Sequence, residues 1–291
     1  MIRTLFRNNK WLLLITLSLI WGSSFILIKR GLLGLNAFQV GSLRILFTSI
    51  FLLLIGYKSL FKIEKTKLKY VVLTAFFGTF FPVYLFAFAQ TQIHSSVSAI
   101  LNSLTPMNTL ILGALAFGLT FKKRQIIGIL IGLLGSVLLV YNGAINNPNQ
   151  NYYYAIFIVI ASICYATNVN LVKKYLSDLS PMSISVGNFA VLTIPALIVL
   201  VFSGFADVVL LPKAQHAMIF IAILGVVGTG IANLIFFRLI QISSPVFATS
   251  VTYLIPIVAF SWALLDNETL SLIQFCGAFV VLIGVYLASK K

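Results

Sequence analysis

Long apolar runs separated by short polar connections dominate this sequence. A helix needs about 20 mostly apolar residues to cross the hydrocarbon core of a bilayer. Ten such runs follow one another, at 11–28, 37–56, 70–90, 95–117, 125–141, 153–172, 182–203, 216–238, 245–265 and 271–288. The connections between them are too short to hold an extramembrane domain. The pattern therefore predicts an all-α integral membrane protein with ten transmembrane helices.

The composition supports a lipid environment. Hydrophobic residues make up 60% of the chain and charged residues 9%, whereas soluble domains have about 45–50% and about 25%. The excess apolar surface has to face lipid, so membrane lipid is a predicted partner. The net charge of +15 comes from short basic clusters between the apolar runs, without a basic stripe that interleaves with aromatic residues. This distribution argues against nucleic acid as a partner.

The sequence gives no sign of a metal or cofactor site. Cys164 and Cys276 each lie inside an apolar run, and no metal-ligand spacing accompanies them. The chain has neither the His-Glu-x-x-His pattern of zinc proteases nor a Gly-rich phosphate-binding loop. We therefore predict no cofactor and no metal, and we expect that the chain is not an enzyme.

Lysine and arginine residues concentrate on alternate connections. If the ten runs cross the membrane in turn, sixteen of the 20 basic residues fall on one side, three on the other and Arg44 within the second run. Because cytoplasmic loops carry the excess of basic residues, both termini are predicted to be cytoplasmic. Basic residues also precede the first run, but no small-residue cleavage site follows it. We interpret that run as a retained first helix rather than a signal peptide.

The two halves of the sequence share a weak pattern in register. Residues 21–24 match residues 165–168 and Arg44 matches Asn188 at an offset of 144, whereas Gly78 and Pro106 match Gly228 and Pro256 at an offset of 150. Residues 1–143 and 152–291 would hold five helices each, and an odd number gives the second half the opposite orientation. Inverted repeats are typical of secondary transporters that bind substrate near the midplane. Chance similarity between two apolar sequences is the alternative.

These features resemble the EamA-type transporters of the drug/metabolite transporter superfamily over nearly the whole chain. They are residues 21–25 leading to Lys29, Leu43-Arg44, Pro106 and Pro256, and Gln-x-x-Gly at 125–128 and 274–277. The resemblance implies two inverted five-helix repeats and export or exchange of small metabolites, such as amino acids, across a bacterial inner membrane. Similar proteins often carry a glutamate just after the fourth helix and another just after the ninth. This sequence departs from that pattern, because Glu268 follows the ninth run but Gly118-Leu119 stands at the corresponding place after the fourth.

Arg44 lies about seven residues into the second run. A charge inside a membrane span is costly and usually faces a cavity or a partner. One interpretation is that Arg44 lines the mouth of a pathway and attracts a carboxylate or another anion. The other is that its long stem carries the guanidinium to the headgroups.

A polar stripe runs along the fourth predicted helix. Ser98, Asn102, Thr105 and Thr109 are spaced so that they share one helix face. Pro106 frees the backbone carbonyl of Asn102, because proline lacks an N–H. The ninth helix repeats this arrangement, with polar residues up to Tyr253 before Pro256. The stripe either contacts a polar substrate or packs against neighbouring helices through ordinary hydrogen bonds.

Further polar and aromatic side chains complete a predicted binding site. Unpaired amides in hydrocarbon are costly, so asparagines at mid-depth must face protein or water. The predicted substrate-binding residues are Trp21, Ser24, Arg44, Tyr84, Asn102, Thr105, Tyr165, Asn168, Asn188 and Tyr253, with helix breaks at Pro106 and Pro256. They place the site among helices 1, 2, 4, 6, 7 and 9.

None of the five carboxylates lies at mid-depth in a predicted helix. Their positions argue against a proton relay built on a buried carboxylate, which proton-coupled carriers commonly use. We therefore expect a secondary transporter that exports or exchanges a small molecule by alternating access, with no obligate protein partner. A channel-like facilitator is one alternative, although the acidic rings of cation channels are missing. An integral-membrane enzyme is the other.

Overall fold

The computed structural model describes residues 9–93, 95–120, 122–145 and 151–265, together with single residues and pairs between 276 and 287. Within this part every regular element is a helix. The helices are α1 (Lys10–Leu32), α2 (Ala37–Gly56), α3 (Lys65–Ala89), α4 (Ser95–Leu101 and Thr105–Phe117), α5 (Lys123–Ile145), α6 (Ala155–Tyr175), α7 (Pro181–Phe202), α8 (Pro212–Ile242) and α9 (Pro245–Thr249 and Val251–Leu265). The tenth predicted run lies mostly outside the described residues, and its described positions are helical.

Six of the described helices are long and apolar enough to cross a membrane: α1, α3, α6, α7, α8 and the segment Ala37–Lys62, which contains α2. A shorter apolar helix runs over Pro245–Ala259. Large apolar side chains such as Leu54, Leu115 and Val201 point away from the helix bundle and are exposed. Such a surface is stable when lipid rather than water surrounds it. The structure therefore agrees with an all-α membrane protein.

Local capping residues fix where several helices begin. The side chain of Asn36 accepts a hydrogen bond from the backbone N–H of Gln39, and the side chain of Gln39 accepts one from the N–H of Asn36. This reciprocal capping box starts α2. The Ser180 side chain caps α7 by accepting from the N–H of Ser183, and Pro181 follows it at the first helical position, where its missing N–H costs nothing. These capping signals act within a few residues, so they can be recognised in the sequence.

The described connections gather at two opposite ends of the bundle. At one end, which we call the basic end, Lys67 forms an ion pair of 3.0 Å with Asp178. Nearby, Lys174 donates to the carbonyl of Phe117. At the other end, the Asn36 side chain donates to the carbonyl of Ser203 over 3.1 Å. The basic end therefore joins the connections after α2, α4 and α6, whereas the opposite end joins those after α1 and α7.

Two helices contain a wider π-helical turn. In α3 this turn covers Phe76–Phe80, and in α8 it covers Leu224–Ile231. π-turns are rare and frequently lie at functional sites, because the extra residue per turn leaves some backbone groups to outside partners. Glycine allows close packing at the second turn, since a Cβ atom on Gly225 would stand 3.0 Å from the carbonyl oxygen of Arg44. The α8 π-turn therefore lies directly against α2.

Candidate functional site

A central cavity of about 80 Å³ lies where α1, α2, α3, α4, α6, α8 and α9 meet. Its polar lining consists of Ser24, Arg44, Thr79, Asn102, Thr105, Asn168, Thr229, Asn233, Thr249 and Thr252. Its aromatic lining consists of Trp21, Phe25, Phe86, Tyr165, Phe236 and Phe237. One water molecule needs about 10–15 Å³ measured in this way, so the cavity has room for several waters or a small ligand. Mixed polar and aromatic lining of this kind is typical of small-molecule sites.

The helices around the cavity differ in part from those the sequence predicted. Helix α7 contributes no lining residue, whereas α3 and α8 do. The π-turns of α3 and α8 supply Gly78-Thr79 and Gly228-Thr229 to the lining. These wide turns bring backbone and short side chains to the cavity surface, which a regular helix with larger residues would block.

Arg44 is the charged residue among those that line the cavity. Its side chain is 9% exposed, and its Nε donates to the hydroxyl of Thr229 over 2.7 Å. Among the described residues, no carboxylate pairs with it, since the ion pair in this part of the chain is the one between Lys67 and Asp178. A buried charge without a counter-ion is costly. The side chain of Arg44 therefore lies in the wall of the cavity, inside the bundle, where it is bound to Thr229.

The π-turn of α8 is held in place by side chains from two other helices. The indole N–H of Trp21 donates to the carbonyl of Gly228 over 3.1 Å, and the hydroxyl of Thr48 donates to the carbonyl of Gly225 over 2.7 Å. Thr229 donates to the carbonyl of Leu224 over 3.1 Å while it accepts from Arg44. These bonds give three backbone carbonyls of the wide turn a side-chain partner. They also fix the orientation of Arg44.

Asn168 on α6 lines the cavity and contains a buried acceptor without a partner. The residue is 2% exposed, and its Oδ1 is buried without a hydrogen-bond partner. It packs over Gly78, where a Cβ atom would stand 2.6 Å from the Asn168 Cγ. A buried acceptor left unpaired costs about 1–3 kcal/mol. A ligand donor or a water molecule in the cavity would remove that cost.

The backbone carbonyls freed by the two prolines have hydrogen-bond partners within the bundle. The carbonyl of Asn102, which Pro106 frees, accepts from the hydroxyl of Thr105 over 2.7 Å. The carbonyl of Thr252, which Pro256 frees, accepts from the hydroxyl of Ser103 over 3.1 Å. A nearby hydroxyl therefore donates a hydrogen bond to each carbonyl, which avoids the cost of an unpaired carbonyl in a dry interior. The polar groups left to face the cavity belong to side chains.

Seven of the ten predicted substrate-binding residues meet at the cavity: Trp21, Ser24, Arg44, Asn102, Thr105, Tyr165 and Asn168. The other three lie elsewhere. The Tyr84 hydroxyl pairs with that of Ser42 over 2.8 Å, and the Asn188 amide lies 3.0 Å from the Thr74 hydroxyl. Tyr253 is fully buried and donates to the carbonyl of Ile129 over 3.0 Å. The contacts of these three side chains are interhelical, and none of them lines the cavity.

Comparison with known proteins shows the family. The sequence model of the EamA-like transporter family matches residues 9–141 and 153–290. The chain belongs to the EamA-like transporter family. The resemblance noted in the sequence is confirmed, and membership indicates a membrane transporter rather than an enzyme.

Curated relatives in this family are named as transporters. The uncharacterized inner membrane transporter YedA of Escherichia coli K12 is 28% identical over 285 residues, covering 95% of this chain and 89% of YedA. A probable amino-acid metabolite efflux pump of Escherichia coli K12 is 24% identical and covers 92% of this chain and 90% of that protein. An uncharacterized transporter of Archaeoglobus fulgidus is 23% identical, with coverage of 97% and 99%.

A solved crystal structure shows the same fold. It superposes with a TM-score of 0.73 at 14% sequence identity and covers 96% of each chain. At that identity the likeness concerns the path of the backbone alone.

Several residues that line the cavity of this family member were not predicted from the sequence. They include Thr79, Thr229, Asn233, Phe86 and Phe236. A signal for two of them was present, since each half contains a Gly-Thr pair, Gly78-Thr79 and Gly228-Thr229, at an offset of 150. The two glycines match each other in the repeat, but the threonine beside each glycine supplies the polar group that lines the cavity. Phe86 and Phe236 give no such signal, because aromatic residues are abundant throughout the apolar runs.

Proposed function

We propose that this protein is a secondary transporter that moves a small metabolite across a bacterial inner membrane by alternating access. In this proposal ten transmembrane helices form two inverted five-helix repeats, residues 1–143 and 152–291, with both termini in the cytoplasm. The two matches of the family model support the repeat. So does the recurrence of a π-turn in α3 and α8 and of an interruption before a proline in α4 and α9. The basic connections gathered at one end support the orientation.

The buried Arg44, which faces the central cavity without a carboxylate partner among the described residues, carries the proposal for the substrate. Its guanidinium would bind an anionic group, and the unpaired Oδ1 of Asn168 would accept from a donor. Trp21, Phe86 and Phe236 would form an apolar wall beside them. A molecule with a carboxylate, a nearby ammonium group and an apolar part matches this set. We therefore propose an amphipathic zwitterion, such as an amino acid, as the substrate class.

The proposed site involves the seven predicted residues that line the cavity, together with Thr79, Thr229 and Asn233. No described carboxylate lines the cavity, since Glu64, Asp178 and Asp207 belong to the connections between helices. Exchange or facilitated transport fits this lining better than a proton relay through a buried carboxylate. Asp266 and Glu268, the remaining acidic residues, lie outside the described residues.

Flux measurements on purified protein in proteoliposomes test this proposal. The panel contains labelled amino acids and nucleosides, each measured with and without a pH gradient. Saturable counterflow of amino acids that is insensitive to the gradient is the expected result. Flux driven by the gradient would contradict the absence of a carboxylate relay, and an unsaturable flux would indicate a channel. No counterflow of any zwitterion would overturn the substrate class.

A further inference from the structure

A second cavity lies on the outer side of the bundle, between α2, α3, α6 and α7. We call it the lateral pocket. Its volume is about 620 Å³, and it is more open to the surroundings than the central cavity. Six aromatic rings line most of it: Phe38, Phe80, Phe81, Tyr84, Phe88 and Phe157. The substrate proposal makes no use of this space.

The lateral pocket offers almost no polar group to a ligand. The Tyr84 hydroxyl is already paired with Ser42 over 2.8 Å. The remaining polar atom is the thiol of Cys164, which is a weak donor at the inner end of the pocket. Water is poorly held in an apolar space of this kind, because each molecule needs two to four polar partners. The occupant must therefore be apolar.

The pocket has the depth of one leaflet. Its lining begins at Phe157 in the first turn of α6 and reaches Cys164, seven residues further on, which is about 10 Å along a helix. Along α3 it extends from Phe88 near the helix end back to Phe80, about 12 Å. Half of a hydrocarbon core of about 30 Å is about 15 Å. The pocket therefore runs from the end opposite the basic end to the middle of the membrane.

The rim of the pocket opens to the surroundings of the bundle. Phe38, Phe81 and Ile160 are large apolar side chains on this rim, and all three are exposed. In a chain that spans a membrane, the medium at that depth is lipid. The rim therefore gives access to acyl chains rather than to water.

The lateral pocket and the central cavity lie on different faces of the same two helices, because consecutive helical residues point about 100° apart. On α3, Val83 lines the cavity and Tyr84 lines the pocket. On α6, Tyr165 lines the cavity and Cys164 lines the pocket. The pocket is therefore a separate site, and whatever occupies it packs against the back of the cavity wall.

We propose that the lateral pocket binds one acyl chain of a phospholipid from the leaflet at the end opposite the basic end. The chain enters between Phe38 and Ile160 and ends near Cys164. Aromatic and aliphatic contacts hold it in place, and the headgroup stays at the membrane surface. This inference does not depend on the identity of the transported substrate.

Photocrosslinking of the full-length protein tests the site. The probe is phosphatidylglycerol with a diazirine midway along one acyl chain, added in increasing amounts to protein in detergent. We expect adducts that saturate at one lipid per chain and lie on peptides containing Phe157 or Cys164. Ile160→Trp should fill the pocket and lower the adduct yield about tenfold, which corresponds to about 1.4 kcal/mol.

Ile163→Trp is the matched control, because Ile163 is on the same helix, is equally exposed at 42% against 43% for Ile160, and does not line the pocket. Its adduct yield should stay at the wild-type level. Equal yields from the two variants, or adducts spread evenly around the bundle, would overturn the proposal.

Alkylation of Cys164 gives a second readout that needs no bulky variant. In a Cys276→Ser background, Cys164 is the remaining thiol. Added phosphatidylglycerol should slow its reaction with a hydrophobic maleimide about tenfold if the acyl chain covers the thiol, corresponding to about 1.4 kcal/mol of binding. An unchanged rate would contradict occupancy by lipid. A crosslink between two Cys164 thiols would show that this face meets a second copy instead.

Discussion

Arg44 and Asn188 occupy matching positions in the two halves of the chain, 144 residues apart, yet they face different surroundings. Arg44 on α2 contacts the π-turn of α8 through Thr229 and lines the central cavity. Asn188 on α7 contacts α3 through Thr74, two residues before its π-turn, and lies outside the cavity lining. Related positions therefore both join a helix to the neighbourhood of a π-turn, but one of them brings a charge to the cavity.

The proline breaks differ in a similar way. Both break positions place a freed carbonyl next to a hydroxyl, but Thr105 serves its own helix whereas Ser103 reaches across to α9. A repeated sequence feature can thus have a local function in one half and join the halves in the other. The cavity is chemically asymmetric, even though similar backbone features surround it.

The largest expected effect separates Arg44 from Asn188. Arg44→Leu should lower the apparent affinity for an anionic or zwitterionic substrate about 10- to 100-fold, because a hydrogen bond to a charged group contributes about 1.5–3 kcal/mol. Asn188→Leu, the matched control, should change the affinity little, since Asn188 does not line the cavity. Concentration-dependent counterflow in proteoliposomes measures both. Similar losses from the two variants would show that the comparison is wrong.

Two asparagines on α6 give the next contrast. Asn168 lines the cavity, whereas Asn170 does not line it and its side-chain N–H donates to the carbonyl of Thr109 over 3.0 Å. The Oδ1 atom of each is buried without a hydrogen-bond partner. Asn168→Leu should weaken substrate binding about 5- to 30-fold, because it removes one polar contact worth about 1–2 kcal/mol. Asn170→Leu should instead lower the thermal unfolding midpoint while the apparent affinity of the folded protein stays unchanged. Paired flux and unfolding measurements distinguish the two outcomes.

A smaller effect is expected at the proline breaks. Ser103→Ala would leave the buried carbonyl of Thr252 without its hydroxyl partner and should cost about 1–3 kcal/mol of stability. Thr105→Val should cost less, because the Asn102 carbonyl still has the backbone N–H of Thr105. Of the two variants, only Thr105→Val should change the substrate affinity, since Thr105 lines the cavity and Ser103 does not. Thermal unfolding of both variants checks the order of their stabilities. A Ser103→Ala variant that is more stable than Thr105→Val would contradict the expected order.

The smallest effect is expected at the basic end. Lys67 holds the pKa of Asp178 below its ordinary value, chiefly by a hydrogen bond to the carboxylate. This depressed pKa stabilises the folded protein above the ordinary carboxyl pKa of about 3.9, and the contribution is lost as the pH falls through the depressed value. Because Asp178 is 59% exposed, Asp178→Asn should cost no more than about 1 kcal/mol at pH 7. The difference in unfolding midpoint should disappear in acid, and a difference that grew in acid would contradict this reading.

The sequence could predict the features that depend on local chemistry. Apolar runs indicated the membrane helices because hydropathy along the chain is enough to recognise them. The cap at Asn36 is likewise visible, as are the prolines of α4 and α9, because capping and the missing N–H act within a few residues. The ten-helix count and the inverted repeat rest on the same kind of signal and stay predictions. Seven of the predicted binding residues lie together at the cavity. They could be predicted because polar and aromatic side chains at mid-depth stand out within the apolar runs.

Only the tertiary structure decided which of those side chains face the cavity. Asn168 and Asn170 are equivalent by composition and depth, yet Asn168 lines the cavity and Asn170 donates to the carbonyl of Thr109. The lateral pocket was also invisible, since its phenylalanines look like any lipid-facing residues. In a membrane protein the buried and lipid-exposed faces of a helix are both apolar, so periodicity does not reveal which face packs inward. The contacts between helices set that orientation.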